Sequence, residues 1–303
     1  MNLHQIAQLG LIGIVNGSSY ALLGVSFALI ISVTGRFHLA YITTYTGAAY
    51  CAVLMQQNSH IKLPFWAALI VALVFSALLG MAIEGGIYRT IAKRTAGASL
   101  LTIFVASLGL TIATENGIRL INPSPSQTLT GISHHGRSLR DVTFIDLDIV
   151  IIGVSLALVF ALAALLKYTR VGRQISAVRV NAEMARVVGI DPERIYLLVF
   201  AIGSILGGIA AVLFTLKFAA SPNMGLNPVF QAFLVAFLAG TASSPQKLTV
   251  VALLIGLAES WSGLWFKTQW SPLVVFGILF VYLCLLPLTF WRQPRKLVRA
   301  FAR

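Results

Sequence analysis

Charged residues are scarce in this 303-residue chain. Asp, Glu, Lys and Arg together make up 10% of the sequence, whereas hydrophobic residues make up 58%, and the mean hydropathy is +0.88. Soluble proteins carry about 25% charged residues, so this composition excludes an ordinary soluble protein. The composition therefore predicts a membrane protein.

Acidic residues are the rarer charged class, with 9 Asp and Glu against 22 Lys and Arg. A net charge of +13 would suit a nucleic-acid binder if the cations formed one patch. They instead fall into short clusters between apolar segments, which is the pattern of membrane topology signals. We therefore predict that this chain associates with the lipid bilayer and does not bind nucleic acid.

Cysteine and catalytic motifs are also nearly absent. The 2 cysteines, Cys51 and Cys284, lie in apolar runs, which predicts two small buried hydrophobes and argues against a disulfide framework or a metal site. The chain has no G-x-x-x-x-G-K-[ST] phosphate loop, no H-E-x-x-H sequence and no nucleophile elbow. We expect no enzyme activity, no cofactor and no metal ion in this chain itself.

Apolar segments make up most of the sequence, and each approaches the roughly 20 residues that a helix needs to cross a bilayer. They predict an all-α, polytopic membrane bundle with about nine transmembrane segments, within a range of eight to ten. The seventh segment is short for a crossing and is expected to be re-entrant or broken. The segments lie at about 5–33, 37–55, 64–88, 98–120, 147–167, 194–216, 229–241, 248–265 and 271–290.

The distribution of Lys and Arg predicts the orientation of this bundle. If the N-terminus lies outside, most of the 22 cations fall on the cytoplasmic side, as the positive-inside rule requires. The C-terminus is then cytoplasmic, residues 168–193 form a cytoplasmic loop, and residues 121–146 form a periplasmic loop. No linker divides residues 1–303, so we predict a single transmembrane domain.

The cytoplasmic loop contains a segment with the pattern of a short amphipathic helix at about 180–189. Gly189 is suited to ending this helix, and Asp191 followed by Pro192 is typical of the start of the next one. Such a helix either lies on the bilayer surface or docks into a groove of a soluble partner, and the pattern alone favours neither. Its apolar stripe consists of Val180, Met184, Val187 and Val188.

The sequence around this segment, "TRVGRQISAVRVNAEMARVVGIDPERIYLLVFAIGSILGGIAAVL", resembles permease subunits of branched-chain amino acid ABC importers. The resemblance extends from "GLIGIVNGSSYALLGVSFALIISVTG" through "EGGIYRTIAKRTAGASLLTIFVASLGL" to "GLAESWSGLW". It implies that the amphipathic helix is a coupling helix that inserts into an ATPase subunit. The residues expected to transmit this coupling are Glu183, Ala185, Arg186 and Gly189.

The resemblance also implies the rest of the assembly. We expect a second homologous permease subunit, two cytoplasmic ABC ATPase subunits that hold ATP and magnesium, and a periplasmic solute-binding protein. The expected location is the bacterial inner membrane, with multiple crossings. The expected cargo is a branched-chain amino acid or a related small polar solute.

Two departures from the family pattern leave the cargo open. Tyr41, Ile42 and Thr43 replace a His-Gly-acidic run of the family, and the glycine-rich run near 239–248 is reduced to "AGTASSPQKL". Both fall in or next to segments that could line the path. An ABC permease for a solute other than an amino acid is therefore an alternative.

Polar residues within the apolar segments are the candidates for the translocation path. Intramembrane charged groups are functional candidates by default, although structural hydrogen bonding between helices is the commoner use of polar groups in bundles. Glu84 is expected to pair with Arg89, and Glu115 with Arg119. The path candidates are Asn16, Ser19, Tyr20, Tyr41, Thr43, Thr44 and Glu259.

Two other functions remain compatible with the sequence. A secondary transporter driven by an ion gradient would need a carboxylate or an unwound helix near the bilayer centre, and Glu259 is the candidate. A membrane anchor or assembly factor could use the same amphipathic helix to recruit a cytosolic protein.

Overall fold

The computed structural model describes residues 3–57, 62–94, 100–122, 126–131, 136–139 and 142–265, together with positions 270, 271, 273–278, 280, 281 and 284. The helices are α1 (Leu3–Thr34), α2 (Tyr41–Gln57), α3 (Phe65–Ala82), a π-helical segment (Ile83–Tyr88), α4 (Arg89–Arg94), α5 (Leu100–Ile121), α6 (Asp146–Tyr168), α7 (Arg170–Val180), α8 (Ala182–Val187), α9 (Pro192–Phe218), α10 (Leu226–Ala239) and α11 (Pro245–Ser262).

The predicted helical membrane bundle is confirmed. Among the described residues, five helical stretches are long and apolar enough to cross a membrane. Four of them are α1, α5, α6 and α9, and the fifth is α3 with its π-helical continuation. The helices α2, α10 and α11 occupy the other predicted segments up to residue 265. Of the ninth predicted segment, the described positions from 271 to 284 are helical. Its remaining residues and the basic C-terminal cluster lie outside the described part of the chain.

One part of the fold is not helical. Strands β1 (Gly136–Leu139) and β2 (Val142–Ile145) pair antiparallel within the predicted 121–146 loop. Gln8 at the start of α1 exchanges hydrogen bonds with the Thr143 backbone, at 2.8 and 3.0 Å. The hairpin therefore covers one end of the bundle without entering it.

Helix α10 has only 14 residues, which spans about 21 Å, less than the roughly 30 Å of a bilayer core. It nevertheless runs from one end of the bundle to the other. Asn227 at its start lines a cavity beside Ser126, whereas Thr241 just beyond its end lines a cavity beside Lys167. The re-entrant or broken form of this segment within the bilayer stays a prediction.

Helix α1 is the centre of the bundle. The most apolar 18-residue window of α1 is 72% buried, whereas that of α5 is 17% buried. Helix α1 packs against α6, α7, α9, α10 and α11. Large apolar side chains on α3 and α5, such as Trp66, Ile70 and Leu101, are exposed, as expected for surfaces that face lipid.

The glycines of α1 explain its close packing. A β-carbon added at Gly13 or Gly17 would lie 2.9 Å from the Cα atom of Leu257 or Leu253 in α11. The backbones of the two helices therefore touch directly, which is how small residues promote helix association in membranes. Gly203 and Gly207 of α9 instead make room for side chains, those of Ile30 and Tyr41.

The cysteine prediction is confirmed in part. Cys51 and Cys284 are both free thiols, as expected. Cys51 is half-buried, but Cys284 is exposed on the surface of the bundle, so its predicted burial is wrong. An apolar run cannot distinguish a face packed on protein from a face packed on lipid, because both environments favour the same residues.

The predicted partner of Glu84 is also wrong. Glu84 lies in the π-helical segment and pairs with Arg36 from the α1–α2 connection. Arg89 pairs instead with Glu193 in the first turn of α9, at 3.2 Å. The added π turn changes the direction of the side chains that follow it, so sequence proximity does not decide this pair.

Candidate functional site

Several polar residues predicted for the path meet in one cavity of about 440 Å³, which we term the Glu259 cavity. Asn16, Ser19 and Tyr20 line it from α1, and Glu259 lines it from the last turns of α11. Glu259 is far in sequence from the three α1 residues, yet the close packing of α1 on α11 brings all four together.

Glu259 is the acidic group of this cavity. The hydroxyl of Tyr20 interacts with its carboxylate. Its second oxygen, Oε2, is buried and has no hydrogen-bond partner in the described part of the chain. A buried acceptor without a partner costs about 1–3 kcal/mol, so this oxygen is suited to receive a donor from a ligand.

Lys217, near the end of α9, is the basic group of the same cavity. Its ammonium lies 2.6 Å from Asp148 Oδ1 at the start of α6, and the two side chains are 16% and 10% exposed. Asp148 Oδ2 also accepts a hydrogen bond from the Ile145 backbone N–H, at 3.2 Å. The pair therefore holds a cation in place at the cavity wall without exposing it fully to solvent.

The remaining walls combine apolar and amide surfaces. Asn223 and Asn227 approach from the connection before α10 and from its first turn. The apolar lining residues are Val15, Leu23, Ile151, Ala210, Phe214, Phe218 and Met224. A carboxylate, an ammonium and an apolar wall of this kind can hold a small ligand that has charges of both signs and a hydrocarbon side chain.

Three other path candidates lie outside this cavity. Tyr41 is fully buried between α1 and α9, where its hydroxyl lies 2.6 Å from Ser26 Oγ and donates to the Gly203 carbonyl at 3.1 Å. Thr44 is also fully buried and donates to the Tyr41 carbonyl, at 2.9 Å. Thr43 accepts a hydrogen bond from Thr114 of α5, at 3.3 Å, beside a void of about 10 Å³.

The sequence analysis missed Lys217, Asn223 and Asn227. Lys217 was assigned to a loop because the predicted span stopped at residue 216, whereas α9 continues to Phe218. A charge enclosed by Leu216 and Phe218 could have been recognised as an intramembrane charge. The two asparagines carry no such signal, since both precede the seventh predicted segment, which starts at about residue 229.

The predicted amphipathic segment forms a second candidate site at the opposite end of the bundle. The structure has two helices here, because α7 ends and α8 begins at Asn181. Asn181 has an extended backbone, and its side chain accepts hydrogen bonds from the Glu183 and Met184 N–H groups at 3.0 and 3.1 Å. The prediction of one helix over 180–189 is therefore wrong at its start, because this capping bond begins a new helix.

The apolar stripe of this segment is exposed along its whole length. Val180, Met184, Val187 and Val188 are between 66% and 83% exposed. Glu183 and Arg186 are also exposed, whereas Ala185 is buried and faces the bundle. Large apolar residues presented in this way suit either the bilayer surface or a groove of a partner protein.

Gly189 ends α8 as predicted. Its φ of +82° lies in the left-handed region that glycine adopts at helix ends, and its N–H donates to the Arg186 carbonyl at 3.0 Å. Asp191 then caps α9 by accepting a hydrogen bond from the Glu193 N–H, also at 3.0 Å. The exposed helix is therefore joined to α9 by a short, well-defined turn.

Comparison with known proteins decides the family. The family described as "Branched-chain amino acid transport system / permease component" matches residues 10–283. The chain belongs to this family. It is a polytopic membrane permease component.

Curated relatives of this permease cover nearly its whole length. It is 26% identical to the high-affinity branched-chain amino acid transport system permease protein BraD of Pseudomonas aeruginosa, over 93% of this chain and 94% of the relative. It is also 25% identical to LivH of Escherichia coli K12, which has the same descriptive name, over 93% of this chain and 94% of the relative. The ribose import permease protein RbsC of Haemophilus influenzae is 27% identical over 78% of this chain and 70% of the relative.

Proposed function

We propose that this permease is the membrane subunit of a bacterial ABC importer for a branched-chain amino acid or a closely related small zwitterion. The observation that carries the proposal is the Glu259 cavity. It combines the Glu259 carboxylate, the Lys217 ammonium and an apolar wall within about 440 Å³. The similarity to permeases named for branched-chain amino acids supports the same cargo.

The chemistry of an amino acid matches these groups. Its ammonium would donate to the unpartnered Oε2 of Glu259, and its carboxylate would accept from Lys217 and from the amides of Asn223 and Asn227. Its branched hydrocarbon side chain would contact apolar residues such as Phe214. Each charged group of the solute would thus exchange water for an opposite charge while it crosses.

The energy source is a separate ATPase, because this chain has no phosphate-binding loop. Exposed α8 would dock into a groove of that subunit through Met184, Val187 and Val188, with Glu183 and Arg186 at the rim. Ala185 would serve as an anchor to the bundle. Because Gly189 joins α8 to α9, movement of the docked helix would reach Lys217 at the far end of α9.

The topology proposed for this importer follows the cation distribution. The α8 end of the bundle is cytoplasmic, and the Glu259 cavity opens towards the periplasm, where a solute-binding protein would deliver the cargo. A second permease subunit completes the pathway, and two ATPase subunits carry ATP and magnesium. The whole assembly would reside in the inner membrane, and the chain forms one transmembrane domain.

Uptake of radiolabelled leucine, isoleucine and valine by the reconstituted importer tests this function. Glu259→Gln and Lys217→Gln should each weaken uptake affinity by about tenfold to hundredfold, since each removes one charge-assisted hydrogen bond. Lys62→Gln removes a charge from an exposed position that does not line the cavity, and should leave uptake unchanged. Uptake that resists both cavity substitutions would refute the proposed cargo site.

The energy source is tested in the same preparation. We expect uptake to require ATP and to persist when a protonophore abolishes the proton gradient. Uptake that survives ATP depletion but stops with the protonophore would identify an ion-driven secondary transporter instead. Recruitment of a cytosolic protein without any solute flux would identify a membrane anchor.

A neutral polyhydroxylated solute is the second candidate cargo. The similarity to a ribose import permease and the amide and hydroxyl groups of Asn16, Ser19, Asn223 and Asn227 favour it. Ribose has no charge, so its uptake should not depend on the charge of Glu259. Ribose uptake that is retained in Glu259→Gln, with no amino acid uptake in the parent protein, would support this alternative.

A further inference from the structure

A second cavity, of about 380 Å³, lies at the α8 end of the bundle, and we term it the Lys167 cavity. It is enclosed by the last turns of α1 and α6, by α7 and by the first turn of α11. Both apolar and polar residues line it. The apolar lining includes Val25, Ala28, Leu29, Ala163 and Leu166.

The charged lining of this cavity is basic only. Lys167 and Arg179 line it, and no acidic side chain does so in the described part of the chain. Neither cation forms an ion pair with another described residue, although the Lys167 ammonium lies 5.2 Å from the Tyr168 ring centroid. Hydroxyl groups surround the two cations, and they belong to Ser32, Ser176, Thr241, Ser243 and Ser244.

The start of α11 adds to this positive environment. Ser244 caps the helix, and Pro245 and Gln246 of its first turn line the cavity. The first N–H groups of a helix have no partner within the helix and favour a nearby anion. Two cations, several hydroxyls and this helix end therefore all favour the same kind of ligand.

The Lys167 cavity is separate from the Glu259 cavity. Asn16, Ser19 and Tyr20 of α1 line the Glu259 cavity, whereas Val25, Ala28 and Ser32 line the Lys167 cavity. At about 100° per residue, these two sets point to roughly opposite sides of the helix. The Lys167 cavity therefore does not continue the proposed solute path.

We propose that the Lys167 cavity binds the phosphate group of an anionic ligand, supplied by a phospholipid of the cytoplasmic leaflet. The phosphate would contact Lys167 and Arg179, and the acyl chains would follow the apolar wall formed by residues such as Leu29 and Leu166. Basic pockets between helices on the cytoplasmic side of a membrane favour such headgroups. The inference uses the topology of the proposed function but not its cargo.

Lipid retention by the purified importer in nanodiscs tests this site. Native mass spectrometry would compare phosphatidylglycerol with phosphatidylcholine, and we expect selective retention of phosphatidylglycerol. Lys167→Gln combined with Arg179→Gln should weaken this retention by about thirtyfold, because each cation near a membrane surface contributes about fivefold to sixfold. Added inorganic phosphate should displace little lipid; full displacement would identify soluble phosphate as the source and overturn the lipid assignment.

A matched double variant controls for the loss of charge. Lys93→Gln with Arg170→Gln removes two exposed cations from the same end of the bundle, outside the cavity, and should retain the lipid. Equal retention of both lipids, or equal loss in both double variants, would overturn the site. A cavity variant that retains lipid but loses the ATPase subunits would also overturn the site, since the cavity would then be a contact with a protein. No uptake is measured, so an incorrect cargo would not change the result.

Discussion

Arg36 and Glu84 form an ion pair that joins the α1–α2 connection to the π-helical segment after α3. The two side chains are 13% and 1% exposed, so the carboxylate is almost completely enclosed. A second ion pair, Arg89 with Glu193, joins the end of the same segment to the first turn of α9. The π-helical segment is therefore attached at both ends to the part of the bundle that holds α8.

The first prediction concerns the strength of this buried pair. Glu84→Ala leaves the Arg36 charge without its partner and should lower the free energy of unfolding by about 3–5 kcal/mol. Replacing both residues by Met should lower it less than Glu84→Ala alone, because no buried charge then remains. Unfolding in detergent micelles, followed by intrinsic fluorescence against denaturant concentration, measures both changes.

The exposed Arg119–Glu115 pair provides the control for this experiment. The Arg119 guanidinium lies 2.6 Å from Glu115 Oε1, which confirms the i, i+4 prediction. The two side chains are 56% and 31% exposed. Glu115→Ala should therefore change the free energy of unfolding by at most about 1 kcal/mol. Equal effects of Glu84→Ala and Glu115→Ala would show that burial does not strengthen the Arg36–Glu84 pair.

The second prediction concerns the backbone contact between α1 and α11. A β-carbon at Gly256 would collide with the Gly13 carbonyl oxygen and with the backbone of Gly17. Gly256→Ala should lower the free energy of unfolding by about 1–3 kcal/mol, because the two helices must separate. Gly109→Ala in α5 adds the same methyl group where no atom lies within 4 Å. That control should be neutral or stabilising by up to about 1 kcal/mol.

The third prediction compares the same substitution at two tyrosines, one that lines the Glu259 cavity and one that is buried outside it. Tyr20→Phe removes a hydroxyl that interacts with Glu259 in the cavity, and should raise the KM of uptake by about twofold to tenfold. Tyr41→Phe removes a hydroxyl bonded to Ser26 and Gly203, and should reduce stability by about 1 kcal/mol without changing KM. A larger KM change in Tyr41→Phe would place the path on the other side of α1.

The fourth prediction concerns coupling through α8. Glu183→Arg and Gly189→Pro should abolish solute-stimulated ATP hydrolysis while leaving the chain inserted, since the first reverses a charge at the docking surface and the second blocks the left-handed turn. Met184→Asp should weaken association with the ATPase subunits, whereas Met184→Leu should not, because only the former removes apolar contact area. Unchanged stimulation in all the disruptive variants would remove α8 from the coupling route.

The helices could be predicted well from the sequence because one requirement dominates inside a bilayer. Backbone groups must be bonded within each segment, so apolar runs of sufficient length become helices, as α1, α6 and α9 illustrate. The Gly189 turn and the Asp191 cap were also predicted correctly, since their chemistry is local. The interruption at Asn181 was missed because asparagine is tolerated both within a helix and at its start.

The tertiary partners could not be predicted from sequence spacing. Glu84 selects Arg36 rather than the nearby Arg89, because the π turn and the packing of α2 against α3 decide which cation lies opposite. Asn16 and Glu259 were recognised as polar residues in apolar runs, but their shared cavity depends on the contact between α1 and α11. Lys217 was missed because the end of its helix was placed two residues too early.

The central position of α1 has a consequence for how the chain matures. Helix α1 is made before the other helices, yet its glycine face at Gly13 and Gly17 is covered by α11, one of the last to emerge. Throughout most of translation that face must stay in contact with lipid or the insertion machinery. A ribosome that stalls before α11 would therefore leave an incomplete chain in which the glycine face of α1 has no helix packed against it. The docking of α11 is thus the assembly step most vulnerable to aggregation and quality-control proteolysis.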